Sequence, residues 1–223
     1  MSPKTLRFLI YYLFNPWIVA PMAAYLWSRG RGNYQRPAWL PLFTGVQIFN
    51  LAQGIMFTVM ASLQINNQWF RHFVQPIVYT GLVLTLFRMA PDQRDRRITY
   101  GFCLGLGLAA AMGGMAMNGL KWRNALFTST SSLVFLGLGT WELRRMVLAD
   151  DDTPLTNLPG FWFTAALLIY GSGTLLFNAS SNYFLRTLSP DLVLIPWVMI
   201  TMIHAIHHVL LAKVFLCKNP SSS

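Results

Sequence analysis

The residues best equipped for chemistry are four histidines in a chain otherwise dominated by apolar side chains. His204, His207 and His208 fall inside one apolar run, 192–216, and His72 opens an earlier run, 70–90. His204 and His208 stand four residues apart, so on a helix they share one face, and His207 is rotated from His204 by about 60°. Two imidazoles at that spacing reach a common point and can chelate one metal ion such as zinc. The same three rings could instead hydrogen-bond between helices, line a wet cavity, relay protons or switch with pH. Ionisable groups inside apolar runs are costly there, which makes them the first functional candidates.

Amides and hydroxyls form the next group. Gln47, Asn50 and Gln53 recur every third residue in one run, and Tyr170, Ser172, Thr174, Asn178, Ser180, Ser181 and Asn182 occupy another. Such groups bond between helices in an apolar solvent or, together with Asn15 and Tyr79, line a polar central cavity. Gln64, Asn66, Asn67, Gln68, Trp69, Arg71, His72 and Gln75 surround the start of the 70–90 run. They read as a solvated connection or as the mouth of a pocket. The ligand-binding candidates are therefore Gln47, Asn50, Gln53, Gln75, Tyr170, Asn178 and His204. Acids are placed differently: Asp92, Asp95, Asp150, Asp151, Asp152 and Asp191 sit in connections or at a run edge, and Glu142 lies near the end of a run beside Arg144 and Arg145. No carboxylate is expected at mid-membrane. That counts against an ion-coupled carrier with a carboxylate relay. Lys213, near the end of its run, is misplaced for a retinal Schiff base. No histidine obviously faces His72 across the bundle at one depth, as axial haem ligation requires.

The elements that must position these groups follow from composition. The chain has 223 residues, 54% hydrophobic and 11% charged, against about 25% charged in ordinary soluble domains. The apolar residues form seven blocks, 8–27, 38–63, 70–90, 98–120, 124–146, 158–185 and 192–216, each near the roughly 20 residues that cross a hydrocarbon core of about 30 Å. The fold expected is all-α, a single polytopic domain of seven transmembrane helices. A barrel is excluded because the blocks do not alternate with period two. Breakers punctuate the connections: Gly30, Gly32, Pro37, Pro41, Pro91, Pro154, Pro159 and Pro190. Asn15, Pro16 and Pro21 interrupt the first block, which reads as a span and not as a cleaved leader.

The net charge of +10 does not point to nucleic acid, because the cations flank the blocks instead of forming a stripe. Arg29, Arg31, Arg36, Arg88, Arg94, Arg96, Arg97, Arg144, Arg145, Lys213 and Lys218 fall on one side of the alternation, and Lys4, Arg7, Arg71, Lys121, Arg123 and Arg186 on the other. The positive-inside rule then puts the N-terminus outside and the C-terminus in the cytoplasm, and the expected location is the cell (inner) membrane. Cys103 and Cys217 offer neither a disulfide framework nor a CxxC metal pair. The 98–120 block is rich in glycine and alanine (Gly101, Gly105, Gly107, Gly113, Gly114), which suits close packing in the bundle or a homo-oligomer contact. No internal repeat marks a transporter.

Two resemblances attach to particular stretches. Asn66-Asn-Gln-Trp-Phe-Arg-His72 and the Trp197–Leu211 stretch with His204 are similar to patterns in small bacterial seven-helix membrane proteins and sensor input modules. That resemblance covers the whole chain and implies a receptor-like bundle with a membrane or cytoplasmic signalling partner. His204-Ala-Ile-His-His208 resembles the HxxxH of seven-helix zinc hydrolases of the alkaline ceramidase and adiponectin-receptor type. It implies a zinc site of His204, His208 and His72, with Ser62 as the hydroxyl and a metal-activated water attacking a lipid amide or ester. The acid such a site uses has no counterpart after His72. The leading expectation is a receptor- or sensor-like protein with a polar intramembrane cavity near the last-run histidines. A zinc-dependent lipid hydrolase and a small-solute transporter are the alternatives.

Overall fold

A computed structural model describes residues 15–29, 37–89, 94–149 and 153–217, with the side chains of Arg94, Asp95, Asn118, Pro190 and Asp191 excepted. The start of the first block, Gly30 and Gly32, Pro91, the acids Asp92, Asp150, Asp151 and Asp152, and the cations Lys4, Arg7, Arg31, Arg36 and Lys218 lie outside the described residues.

All regular structure among the described residues is helical. A 3₁₀ turn, Asn15–Val19, leads into α1 (Ala20–Arg29), followed by α2 (Leu40–Ser62), α3 (Gln68–Met89), α4 (Arg94–Asn118) and α5 (Ala125–Leu148). A second 3₁₀ turn, Leu155–Asn157, precedes α6 (Pro159–Thr187), and α7 (Pro190–Leu216) completes the chain. The helices start and stop where local chemistry dictates. Prolines stand in the first turn of α2, α6 and α7, where a missing N–H costs nothing. Asn124 caps α5 by accepting the Phe127 N–H at 3.0 Å. Gly119, with φ +64°, terminates α4 in the left-handed conformation.

Consecutive helices pack side by side, and α1 closes the ring against α7. The short connections make neighbours antiparallel and give the bundle two ends. The α2–α3, α4–α5 and α6–α7 connections form the Trp122 end. The opposite, Glu142 end carries the α3–α4 and α5–α6 connections and the close of α7. An aromatic lattice joins α1, α2, α6 and α7 at the Glu142 end: Phe43 lies 5.1 Å from Phe163 and 5.2 Å from Phe215, and Tyr25 lies 5.4 Å from Phe215. A second aromatic line runs through the middle, from Tyr79 on α3 to Phe135 on α5 at 5.5 Å and on to Tyr170 on α6 at 6.1 Å.

The closest helix pair is α5 on α6. A Cβ at Gly171 would meet the Ser132 carbonyl at 2.8 Å, and one at Gly139 would meet Leu168 at 3.0 Å. Small residues are what allow that approach in an apolar solvent. The glycines of α4 divide by face. Gly107 is pressed by the Tyr79 ring and Gly114 by the Asn124 amide, whereas Gly101 and Gly105 face open space.

Four helices are long and apolar enough to cross a membrane: Leu40–Ser62, Arg96–Met117, Pro159–Thr187 and Leu192–Leu216. They coincide with four of the seven expected blocks. The described part of the first block is shorter, ten residues of α1 after a 3₁₀ turn. Helices α3 and α5, of 22 and 24 residues, have the length but not the uniform apolarity. Their polar residues turn inward: His72, Thr85, Thr128, Ser131, Ser132 and Glu142 are all buried. Their outward residues, Phe73, Ile77, Leu126 and Leu133, are exposed and apolar. The bundle is therefore polar inside and apolar outside along the helices that composition alone scores as weakest. This inversion of the soluble pattern fits a membrane location.

Candidate functional site

The buried polar groups concentrate between α3, α5, α6 and α7, from the Trp122 end to the bundle middle. Asn178 on α6, only 1% exposed, is the junction. Its amide nitrogen donates to the Thr128 carbonyl at 3.2 Å and to Ser132 Oγ at 3.0 Å. Its oxygen accepts from Arg123 Nη2. Ser132 Oγ lies 3.0 Å from Thr174 Oγ1, and that hydroxyl donates to the Tyr170 carbonyl at 2.6 Å. The chain Arg123–Asn178–Ser132–Thr174 thus descends from the connection before α5 into the seam between α5 and α6. Buried polar atoms need such partners, because water is not there to supply them.

Arg123 precedes α5 and is 7% exposed. Its guanidinium lies over the rings of Phe177 at 5.0 Å and Trp197 at 5.6 Å, while its carbonyl accepts from Asn182 Nδ2 at 3.0 Å. Burial, and then the charge of nearby Arg71, push its pKa down to about 10, with Tyr170 opposing. It remains a cation at neutral pH. Arg71 in the first turn of α3 lies over Phe57 at 4.6 Å. The Nε atoms of Arg71 and Arg123 are both buried without a hydrogen-bond partner.

His72 fastens the two arginines' elements together. Its Nε2–H donates to the Trp122 carbonyl at 2.9 Å, which fixes the tautomer and leaves Nδ1 to accept from Asn124 Nδ2 at 3.4 Å. Asn124 Nδ2 also donates to the Ala111 carbonyl at 2.9 Å. One asparagine therefore caps α5, holds α4 and braces His72. The expectation that His72 stands in a solvated connection or at a pocket mouth is corrected here. It is 2% exposed and joins α3 to the α4–α5 connection.

The histidines of α7 gather around Tyr170. The His204 ring stacks on it at 5.4 Å with 23° between planes, and His207 lies at 5.0 Å. His207 Nδ1–H donates to the Ala166 carbonyl at 2.9 Å. His207 and His208 are 5.4 Å apart, and His208 Nδ1 is buried without a partner. Arg71, Tyr170, His204 and His208 are each half-buried.

The structure thus brings Tyr170, Asn178 and His204 together on α6 and α7. It does not assemble the ligand set His72, His204 and His208. Both ring nitrogens of His72 are engaged at the α4–α5 connection, and among the described residues no three His, Cys, Asp or Glu side chains group to hold a metal ion. Gln47, Asn50 and Gln53 do form an inward line on α2. Gln47 is 2% exposed with Nε2 unpartnered, and Gln53 donates to Asn50 Oδ1 at 2.6 Å. No hydrogen bond among the described residues links them to the α6–α7 network. Gln75 is half-buried on α3. Sequence reasoning placed Arg71 in a polar connection or pocket mouth, and it missed Arg123, treated there as a topology-setting cation, and the hydroxyls of Thr128 and Ser132. The run Thr128-Ser-Thr-Ser-Ser132 inside a predicted span was a readable signal for the latter.

At the Glu142 end a separate cluster clamps α4 to α5. Glu142, 1% exposed, accepts from Arg96, from Tyr100 Oη at 2.8 Å and from Arg145 Nε at 3.0 Å. Next to it, a groove of about 540 Å³ lies between α3 and α4, lined by Val83, Phe87, Arg88, Arg97, Tyr100 and Leu104 among others. It is far along α3 from Arg71. Neither protein-family models, nor characterised proteins, nor solved structures gave a match to this chain.

Proposed function

We propose that the chain is a multi-pass membrane protein of receptor or sensor type, with seven crossing helices and a recognition site in its polar interior. The site comprises Arg71, Arg123, Asn178, Tyr170 and His204, with the inward amides of α2 as an adjoining wall. One observation carries the reading: a continuous buried line, Arg123–Asn178–Ser132–Thr174, inside helices whose outer faces are apolar. Polar interiors of this kind, half open around aromatic and amide groups, suit ligand binding at an enclosed pocket.

A receptor is favoured over an ion-coupled carrier because Glu142, the only carboxylate side chain described, is engaged by Arg96, Tyr100 and Arg145 away from the pocket. The orientation of this reading places the N-terminus outside, the C-terminus in the cytoplasm and the Trp122 end at the outer face of a bacterial cell membrane. A cytoplasmic or membrane partner would then read changes at the Glu142 end.

The test uses the purified protein in two formats. In nanodiscs, small solutes are screened for a rise in unfolding temperature and a change in tryptophan fluorescence, for which Trp197 is the local reporter. In sealed liposomes, the solutes that bind are tested for protein-dependent uptake. Binding without uptake is the expected result. Steady uptake of the bound solute would replace the receptor by a carrier.

A further inference from the structure

We infer that the interior pocket takes a small oxyanion, a carboxylate, sulfonate or phosphate group, clasped between the Arg71 and Arg123 guanidiniums. The inference rests on the proposed site and names the chemistry that the site selects.

Two cations are held at one end of the bundle by separate elements, α3 and the α4–α5 connection. The His72 Nε2–H bond to the Trp122 carbonyl joins the residues adjacent to each arginine, so the two side chains enter from the same depth. Among the described residues neither arginine forms a salt bridge. Glu142 sits at the other end of the bundle with its own cations. Two guanidiniums enclosed near one another, with no counter-charge among the described residues, are costly in a medium of low dielectric constant. Their aromatic platforms orient them without cancelling the charge: Phe57 under Arg71 at 4.6 Å, Phe177 and Trp197 around Arg123 at 5.0 and 5.6 Å.

Donors face the space unmet. Arg71 Nε and Arg123 Nε have no acceptor among the described residues. Arg123 Nη2 donates to Asn178 Oδ1, while its Nε–H has no acceptor among the described residues. The Tyr170 ring is within electrostatic reach of both guanidiniums, and so is His204 stacked on it. A planar oxyanion supplies what this arrangement lacks: negative charge, and two oxygens that match the guanidinium fork. The oxyanion can belong to a soluble molecule or to a lipid headgroup, since both present the same group at this end of the bundle.

The experiment measures unfolding temperature and calorimetric binding in phosphatidylcholine nanodiscs with benzoate, sulfate and inorganic phosphate. Benzamide and benzylamine serve as the neutral and cationic counterparts of benzoate. At least one anion is expected to bind and stabilise, and the cation is not. Arg71→Gln and Arg123→Gln should each weaken binding about tenfold or more, the loss of a charge-assisted hydrogen bond. Arg71→Lys should retain part of the affinity. Without anion, Arg71→Gln should unfold at a higher temperature than the parent, because it removes repulsion; a merely structural arginine would give the opposite. A parallel arm in phosphatidylglycerol nanodiscs without soluble anion identifies a lipid source if stabilisation appears there alone.

Several outcomes overturn the inference. One is that benzamide binds and no anion does, in either lipid; the polar pocket then stands and its ligand is neutral. Another is anion stabilisation that is equal in the parent and both glutamine variants. A third is anion binding that appears only in Asp191→Asn, which would make that carboxylate the pocket's own counter-ion. If anions bind through both arginines but are also carried into liposomes, the anion site stands and the receptor reading falls.

Discussion

At the scale of single residues, Asn178 links Arg123 to the α5 side of the interior network. It donates to two groups of α5 and accepts from the buried Arg123. Asn178→Leu removes all three bonds and leaves a guanidinium without its acceptor. It should lower unfolding stability by about 1–3 kcal/mol, measured by detergent titration of helicity. Ser172→Ala is the matched control. Its hydroxyl is exposed and bonds to carbonyls of its own helix, Leu168 at 2.8 Å and Ile169 at 3.3 Å, so the change should be close to zero. Polar residues inside apolar runs are conspicuous, and for that reason Asn178, Tyr170 and His204 were legible in the sequence. Arg123 was not, and Arg71 was noted only as one of a polar group at a connection or pocket mouth. A cation at the edge of an apolar run normally meets headgroups, and nothing in the linear pattern distinguishes one that folds inward onto Phe57 or Trp197. His72 failed in the opposite direction: its type suggested a ligand, while its partners, a carbonyl and an amide, make it a brace.

At the scale of elements, α4 separates a packing role for small residues from a compositional one. The 98–120 run reads as uniformly smooth, but only two of the five glycines noted in it meet a partner too closely for a side chain. Gly107 faces the Tyr79 ring, which cannot swing aside without losing its bond to the Cys103 carbonyl at 2.5 Å. Gly114 faces an Asn124 amide already bonded to Phe127 N–H and the Ala111 carbonyl. Gly107→Ala and Gly114→Ala should each cost about 1–3 kcal/mol by overpacking. Gly101→Ala and Gly105→Ala should be neutral, or stabilise by up to about 1 kcal/mol as ordinary helix-forming changes. Equal effects at all four positions, in the same titration, would remove the case for a face-specific fit. The clamp between α4 and α5 adds a second expectation. Glu142→Leu strands Arg96, which is 3% exposed, and should cost more than Arg145→Met, whose side chain is one-third exposed. Helix boundaries were legible because prolines, Asn124 and Gly119 mark them. The partners of Glu142 were only half legible: Arg145 lies one turn away, but Arg96 lies 46 residues earlier and comes to it through the α4–α5 packing.

At the scale of the whole molecule, the question is how many helices cross the bilayer and in which sense. Four are long and apolar enough to cross. α3 and α5 are antiparallel neighbours of those four, long enough at 22 and 24 residues to cover about 33 and 36 Å. Their polar groups are turned away from the outside. Hydropathy averages a helix over its circumference and cannot register that segregation, so α3 and α5 score below their neighbours although the bundle gives them an apolar outer face. If all seven helices cross, the α2–α3 connection and the α5–α6 connection must lie on opposite sides of the membrane. Asn66 is exposed in the first, and Thr153 is half-buried in the second. Single cysteines at Asn66 and Thr153, in a chain with Cys103 and Cys217 replaced by serine, can be tested with a membrane-impermeant maleimide on intact cells. Cys217 is the milder background in a chain where it is kept, because burial, opposed by Lys213, pushes its thiol up to about 11 and leaves little thiolate at neutral pH. The proposed orientation predicts labelling of Asn66→Cys from outside and of Thr153→Cys only after permeabilisation. The reverse pattern would invert the orientation and keep the crossings. Labelling of both positions from one side would mean that an even number of segments crosses between them. One of α3, α4 or α5 would then lie outside the bilayer, and the proposed site between α3, α5, α6 and α7 would lose its membrane setting.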